Sequence, residues 1–223
     1  MKIAIIGYGK MGHAVEARAK SCGHTVVCTV DCPQEWELRD SELRSADVAV
    51  EFSTPSTAVD NIRRCWRLGL PVVCGTTGWD AQRKEVENEC RANGCRLLAA
   101  SNFSIGMNIM FDLNERLAAL MSGRAEYSAS ITETHHIHKL DAPSGTALVL
   151  QRQIAGREVP ITSIREGEVP GTHTVCYSSA IDTLSITHEA HSREGLAAGA
   201  VLAAEFLAAA APGVYSMKDV ING

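Results

Sequence analysis

The sequence has no long run of lysine and arginine and no long uninterrupted apolar segment. Its 223 residues carry 21 Lys and Arg against 26 Asp and Glu, a formal net charge of -5 at pH 7. Because phosphate backbones are bound by basic faces, this balance argues against a nucleic-acid partner. The most apolar late segment, residues 196–211, is rich in alanine and interrupted by Glu205. It therefore predicts a buried helix rather than a membrane partner.

Cysteine pairs of the CxxC type are also absent, although the chain has eight cysteines. This excludes the common zinc spacings and the disulfide framework of a small secreted domain. We expect free, mostly buried thiols in a reducing compartment. The opening MKIAIIGYGK has an apolar run too short for a signal peptide and leads straight into glycines. The expected location is the cytoplasm.

Strand and helix patterns alternate through the first hundred residues. Short apolar runs rich in β-branched residues predict the strands, and the segments between them have helical spacing. This alternation predicts an α/β fold with a Rossmann-type, doubly wound parallel sheet. The predicted strands cover residues 2–6, 25–30, 47–52, 70–74 and 96–100.

The pattern changes near residue 104, where a long helical stretch is followed by several alternating segments. These predict a smaller α+β domain with a mixed sheet. We expect a dinucleotide-binding domain over 1–103, completed by about 193–223. Residues 104–192 then form a substrate-binding and oligomerisation domain.

A glycine-rich turn lies between the first predicted strand and helix. Gly7, Gly9 and Gly12 fit GxGxxG, and Asp31 follows at the end of the second strand. The first glycine permits the tight turn, the second lets the backbone approach a pyrophosphate, and the third lets helix and strand pack closely. Asp31 is placed to bind ribose hydroxyls. The alternative is a glycine turn without a ligand.

Asp31 also bears on the choice between NADH and NADPH. A carboxylate at this position repels a 2'-phosphate, and Cys32 follows it. Lys10 or His13 could still reach the phosphate. We therefore expect NADH, or use of both dinucleotides. Two later loops, residues 75–78 and 99–103, follow strand ends and should line the same crevice, unless they are ordinary turns.

The segment ETHHIHKLDAPSGTAL, residues 133–148, concentrates proton carriers. On a strand, His135 and His136 point to opposite faces. The H-H-x-H spacing fits no tetrahedral zinc template, so no metal is expected. Lys139, beside the free amides of a helix that opens at Ser144-Gly145-Thr146, predicts a carboxylate pocket next to a histidine acid. The alternative is a polar turn before a capped helix.

This segment resembles the signature of the 4-hydroxy-tetrahydrodipicolinate reductase family, formerly called dihydrodipicolinate reductase. The resemblance covers almost the whole chain. Besides the glycine turn and the histidine-lysine segment, it includes the motifs Phe52-Ser-Thr-Pro55, Gly75-Thr-Thr-Gly78, Ser101-Asn-Phe-Ser104, Gly171-Thr-His173, His188-x-Ala-x-Ser-Arg193 and Tyr215-Ser-Met217.

The resemblance implies NAD(P)H-dependent reduction of 4-hydroxy-tetrahydrodipicolinate in the diaminopimelate route to lysine. It implies that His135 is the general acid and Lys139 a second proton donor, and that the enzyme is a homotetramer. The implied substrate-binding residues are His136, Gly145, Thr146 and Arg193. The implied cofactor-binding residues are Gly7, Tyr8, Gly9, Lys10, Met11, Gly12, Asp31, Gly75, Thr76, Thr77, Ala99, Ala100, Ser101, Asn102 and Phe103.

The chain departs from the family at a few positions. His138 and Cys32 stand where members often carry arginine, which bears on the cofactor rather than on the reaction. Two alternatives stay open. One is a related reductase acting on another small dicarboxylate or imine, and the other is a non-catalytic dinucleotide-binding sensor.

Overall fold

The chain is divided into two compact units, each with its own core. The computed structural model describes residues 1–192 and 194–223. The first unit comprises Met1–Ile105 and Glu194–Gly223, and the second comprises Gly106–Arg193. Arg193 itself, which the resemblance places at the substrate, lies outside the described residues.

The first unit is built on a six-stranded parallel sheet with strand order β10-β5-β4-β3-β1-β2. Its central strands are buried on both faces and consist almost wholly of apolar residues, as expected of a sheet covered by helices. The Rossmann-type prediction is confirmed. The strands are β1 (Lys2–Ile6), β2 (Thr25–Val30), β3 (Val48–Glu51), β4 (Val72–Cys74), β5 (Arg96–Ala99) and β10 (Gly213–Tyr215).

Helices pack on both faces of this sheet and form two separate apolar clusters. One cluster joins the sheet to α3, α4 and α5 through residues such as Leu43, Ile62 and Val86. The other joins it to α1, α8 and α9 through residues such as Val15 and Val201. The helices are α1 (Lys10–Ser21), α2 (Glu35–Leu38), α3 (Asp40–Arg44), α4 (Ala58–Arg67), α5 (Asp80–Ala92), α8 (Glu194–Ala209) and α9 (Met217–Asn222).

The second unit contains a four-stranded sheet with strand order β7-β6-β8-β9. Strand β6 is parallel to β7 and antiparallel to β8, so the sheet is mixed, as predicted. Alternate residues of β6 and β8 are buried against the two helices, with Ile131 and Val175 fully covered. The elements are α6 (Ile105–Met121), β6 (Ser128–His135), α7 (Gly145–Gln153), β7 (Ile161–Arg165), β8 (Thr172–Ser178) and β9 (Thr183–Glu189).

The five predicted strands of the first unit agree with the structure to within two residues, but the short α2 and α3 and the terminal β10 and α9 have no counterpart in the prediction. Strand β10 has three residues and is defined by its pairing with β5. No local hydrophobic period in the sequence predicts that pairing. Among the described residues no helix is long and apolar enough to cross a membrane.

Candidate functional site

The glycine turn can be formed only with glycine at two of its three motif positions. Gly7 adopts a φ of +88°, and a Cβ there would overlap the backbone of Phe52. A Cβ on Gly12 would overlap the carbonyl of Gly7, so helix α1 can approach β1 only with glycine at this position. Gly9 has open space around it. The conformation of Gly7 and the packing of Gly12 agree with a GxGxxG turn, and the binding of a pyrophosphate at Gly9 stays a prediction.

Asp31 is held at the end of β2 by the glycine turn. The backbone amide of Tyr8 donates to Asp31 Oδ1 at 2.7 Å. This bond ties the carboxylate to the glycine turn. The Tyr8 hydroxyl bonds Glu16, and its ring lies 4.0 Å from that of His13. Lys10 and Met11 open helix α1.

A groove of about 450 Å³ brings together Gly7, Gly9 and Asp31. Sequence reasoning assigned no role to several other residues that line it. Trp36 and Arg64 face each other, with the guanidinium 5.4 Å from the ring centroid. Ser53 and Thr54 follow β3, and the rule that ligands bind beyond strand ends could have found them. Trp36 and Arg64 lie on helices α2 and α4, and no comparable rule marks them in the sequence as groove residues.

The two later loops are fixed by backbone contacts to neighbouring strands. The amide of Gly75 donates to Glu51 O at 2.8 Å, and that of Ala100 donates to Cys74 O at 3.1 Å. A Cβ on Gly75 would overlap the ring of Phe52. Thr76 Oγ1 is buried and finds no hydrogen-bond partner among the described residues. A buried hydroxyl in this condition is suited to meeting a ligand.

The remaining loop residues assigned to the cofactor differ in exposure. Ala99 and Phe103 are buried, whereas Ser101 is exposed. Asn102 Oδ1 accepts from the amide of Ser104 at 2.8 Å, which closes the turn before α6. Thr77 lies between Thr76 and the positive-φ Gly78. None of these residues lines the groove that contains Asp31.

In the second unit, His135 ends strand β6 and contacts a buried carboxylate. Its Nδ1 pairs with Oε2 of Glu133, a residue with no exposed surface. Arg165 donates to the other oxygen of Glu133 at 3.0 Å. Gly171, at a φ of +152°, lies against His135 Nε2, where a Cβ would approach to 3.1 Å. Glu133 therefore engages Nδ1, and Nε2 is the other ring nitrogen of His135.

Opposing effects set the protonation of this pair. Burial lowers the pKa of His135, and the adjoining Glu133 carboxylate offsets part of that change. Burial raises the pKa of Glu133, but hydrogen bonds from Ser163 and Arg165 outweigh burial, and the pKa lies below its ordinary value. Glu133 is therefore an anion held between a histidine and an arginine.

A second buried histidine, His173, lies beside His135. Burial, together with the neighbouring charge of His135, lowers the pKa of His173 to about 4, so His173 is neutral near pH 7. Its Nε2 lies 3.1 Å from the hydroxyl of Ser144, which caps helix α7 by accepting from the amide of Ala147. His173 belongs to the quoted motifs, but sequence reasoning gave it no role, because 29 residues separate it from Ser144.

The predicted carboxylate pocket already holds a carboxylate of the chain itself. Lys139 Nζ donates to Asp141 Oδ1 at 2.7 Å, and the amide of Gly145 bonds the same side chain. The hydrogen bond from Lys139 is the largest cause that lowers the pKa of Asp141. Gly145 and Thr146 begin helix α7, and the space beside Gly145 is open.

The other histidines of the segment lie further out. His136 is half-buried and follows β6, and its ring centroid is 6.1 Å from that of His138. His138 is largely exposed and lies 3.4 Å from Glu168.

One group of three side chains has the spacing of a metal site. Ligand atoms of Glu133, His135 and His173 all lie within 4.8 Å of one another. Arg165, however, is bonded to Glu133, and its guanidinium opposes a cation there. The expectation that no metal is bound stays a prediction.

Known protein families match almost the whole chain. The family model described as dihydrodipicolinate reductase, N-terminus, matches residues 1–103, and the C-terminus model matches residues 106–221. Curated relatives named 4-hydroxy-tetrahydrodipicolinate reductase include one from Christiangramia forsetii. It is 43% identical over 238 residues, which cover 100% of this chain and 98% of the relative. Another, from Methanopyrus kandleri, is 36% identical over 201 residues, which cover 81% of this chain and 73% of the relative.

Among solved structures, the dipicolinate-bound dihydrodipicolinate reductase of a Paenisporosarcina species matches with a TM-score of 0.78. The two proteins are 21% identical, and 97% of each chain is covered. At this identity the match shows the fold.

Proposed function

The chain belongs to the dihydrodipicolinate reductase family, and we infer from this membership that it reduces 4-hydroxy-tetrahydrodipicolinate to tetrahydrodipicolinate. The reaction is a step of the diaminopimelate route to lysine, and the protein is an NAD(P)H-dependent oxidoreductase. The observation that carries the residue assignments is the His135–Glu133 pair beside a pocket that already binds a carboxylate.

The first unit is the cofactor domain in this proposal. The open space at Gly9, the groove at Asp31 and the unpartnered hydroxyl of Thr76 fit a dinucleotide. Gly7 to Gly12 would bind the pyrophosphate, Asp31 the adenosine ribose, and residues 75–77 and 99–103 the nicotinamide side. When bound, the reduced dinucleotide supplies the hydride.

The second unit supplies the proton and holds the substrate. Protonated His135 would donate from Nε2, because Glu133 engages Nδ1 and stabilises the cation. Lys139 and the amides of Gly145 and Thr146 would bind a substrate carboxylate after Asp141 moves away. The position of the Asp141 carboxylate supports this role, since the pocket already offers it both an ammonium and an amide. His136 would contact the substrate from the neighbouring position.

The test follows nicotinamide absorbance while the substrate is generated in place. A dihydrodipicolinate synthase acting on pyruvate and aspartate semialdehyde supplies it, and NADH and NADPH are tested separately. We expect rapid oxidation of at least one dinucleotide. Binding of both without oxidation would instead favour a non-catalytic sensor, and faster turnover of another imine would favour the related-reductase alternative.

His135→Gln separates the acid from the binding residues. Glutamine keeps a polar side chain but cannot donate a proton as an acid, so kcat should fall by about 10² to 10⁴, the usual contribution of general acid catalysis. The dissociation constant of NADH, measured by titration, should change little. Equal losses in both quantities would remove His135 from the acid role.

The compartment and the assembly belong to the same proposal. All eight cysteines are free, and burial raises the pKa of Cys28 and of Cys90 to about 11. Such thiols suit the reducing cytoplasm. The proposed assembly is a homotetramer, following the family, with a small dicarboxylate as substrate and with neither nucleic acid nor membrane as a partner.

A further inference from the structure

We propose that Glu35 selects NADH over NADPH by occupying the backbone amides that a 2'-phosphate would need. The inference rests on the proposed function only in requiring that the groove at Asp31 binds the adenosine half of a dinucleotide. It concerns a residue outside the glycine motif, four positions after Asp31.

Glu35 reaches back from helix α2 to the end of strand β2. Its Oε2 accepts from the amide of Asp31 at 2.6 Å and from the amide of Cys32 at 3.3 Å. In a dinucleotide fold the acidic residue after the second strand binds the ribose 2'-hydroxyl, so a 2'-phosphate would enter beside these amides. Both donors are already satisfied by a side-chain carboxylate.

The same carboxylate brings a second negative charge to this point. Asp31 is fixed beside it through the amide of Tyr8. A phosphate carrying close to two negative charges would therefore meet two carboxylates and lose two neutral donors. A ribose hydroxyl meets no such obstacle, because it can donate a proton to Asp31.

Two of the nearby arginines are already paired with carboxylates of the chain, which leaves Arg64, Lys10 and His13 as the cations that could still attract a phosphate. Arg39 pairs with Glu42 at 3.4 Å, and Arg44 pairs with Asp40 at 2.7 Å. Arg64 lines the groove, but its guanidinium lies over the ring of Trp36. The groove also contains Asp60, so its lining includes two carboxylates and one arginine among the described residues.

Two substitutions separate the effect of occupying the two backbone amides from the effect of the negative charge of Glu35. Glu35→Ala removes the acceptor and the charge, and frees both amides. Glu35→Gln keeps an acceptor oxygen of the same reach but removes the charge. Glu37→Gln is the matched control, since Glu37 belongs to the same helix, is exposed, and has a side chain that makes no hydrogen bond with any described residue.

The test measures dissociation constants of NADH, NADPH, ADP-ribose and 2'-phospho-ADP-ribose by calorimetry with the full-length protein. Quenching of tryptophan fluorescence provides a second readout, because Trp36 lines the groove. Circular dichroism confirms that each variant is folded. The two fragments lack nicotinamide, so they report on the adenosine end alone.

For the wild type we expect NADH to bind at least about tenfold more tightly than NADPH, the ratio that roughly one unfavourable charge contact produces. Glu35→Ala should reduce that ratio about tenfold, and Glu35→Gln should reduce it by a smaller factor. Glu37→Gln should leave it unchanged. The fragment pair should follow the dinucleotide pair.

An unchanged ratio in Glu35→Ala, or an equal change in Glu37→Gln, would overturn the inference. A wild-type preference for NADPH would also overturn it. If Glu35→Ala fails to fold, Glu35→Gln decides, because an unchanged ratio there contradicts the expected effect of the Glu35 charge. Failure of the wild type to bind any of the four ligands is a different outcome. That result would contradict the dinucleotide-binding function itself.

Discussion

Glu133 is the residue on which the proposed acid depends. It is fully buried, and it contacts a histidine through one oxygen and an arginine through the other. A carboxylate in this position raises the pKa of the histidine and fixes its tautomer, as a buried aspartate does in a hydrolase triad. Glu133 is thus a positioning residue, while His135 is the group that would exchange the proton.

Glu133→Gln should shift the pH dependence of catalysis. A general acid must be protonated, so kcat falls as pH rises through the pKa of His135. Removing the carboxylate lowers that pKa, because burial then acts without its main opposing effect. The descending limb of the kcat profile should move to lower pH by about one unit, the usual effect of a neighbouring opposite charge. Steady-state rates from pH 5 to 9 measure it.

Glu166→Gln is the control for this shift. Glu166 is exposed, and it contacts His135 only through its backbone amide, which donates to the His135 carbonyl at 2.8 Å. Its profile should match the wild type. A uniform loss of rate in Glu133→Gln, with the limb in place, would mean that Glu133 only supports the fold.

At the scale of elements, helix α8 shows how composition sets a packing distance. The helix is built largely from alanine and glycine, and it lies against the central strands through residues such as Ala200 and Ala204. At Gly199 the backbone approaches Phe103 so closely that a Cβ would overlap its carbonyl oxygen. The loop at Phe103 follows β5 and belongs to the proposed cofactor side.

Gly199→Ala should destabilise the protein despite the higher helix propensity of alanine. The added methyl group must displace backbone rather than a flexible side chain, and overpacking of this kind costs about 1–3 kcal/mol. Gly195→Ala, in the first turn of the same helix and with nothing within 4 Å of the new atom, should be neutral or stabilise by up to about 1 kcal/mol. Thermal unfolding of both variants checks the difference, and equal melting temperatures would contradict it.

At the scale of the whole molecule, the four-stranded sheet has two unlike faces. Glu133, His135 and Ile131 alternate along β6 with half-buried small polar residues, among them Ser130 and Thr132. The core of the second unit lies on the face that carries Glu133, His135 and Ile131. The other face is where we expect copies of the chain to associate, because small side chains permit sheets to approach closely.

Thr132→Arg should therefore dissociate the assembly without unfolding the chain. An arginine at the middle of this face would place an unpaired charge in the contact. Light scattering after gel filtration should give the wild type a mass four times that of the 23.9 kDa chain and give the variant a smaller mass. Ser122→Arg, at the exposed residue that follows α6, should keep the wild-type mass. A wild type with the mass of one chain would exclude the tetramer.

Elements with a clear period were predictable from the sequence. Strands β1 and β2 begin and end where the pattern places them, because burial of a strand on both faces produces a local run of apolar residues. Helices α2 and α3 are too short to establish a period. Strand β10 is defined by pairing with β5, more than a hundred residues earlier, and so depends on the assembled sheet.

The sequence by itself determined the fold class, the dinucleotide turn and the family, because alternating periods, glycine spacing and the histidine-lysine segment are local features of the chain. Only the tertiary structure decided which groups act together. The contacts of Arg165 with Glu133 and of His173 with Ser144 span about thirty residues, and they form only when β7 and β8 flank β6. Burial then sets the protonation of these groups, and burial is a property of the packed sheet and helices rather than of any segment.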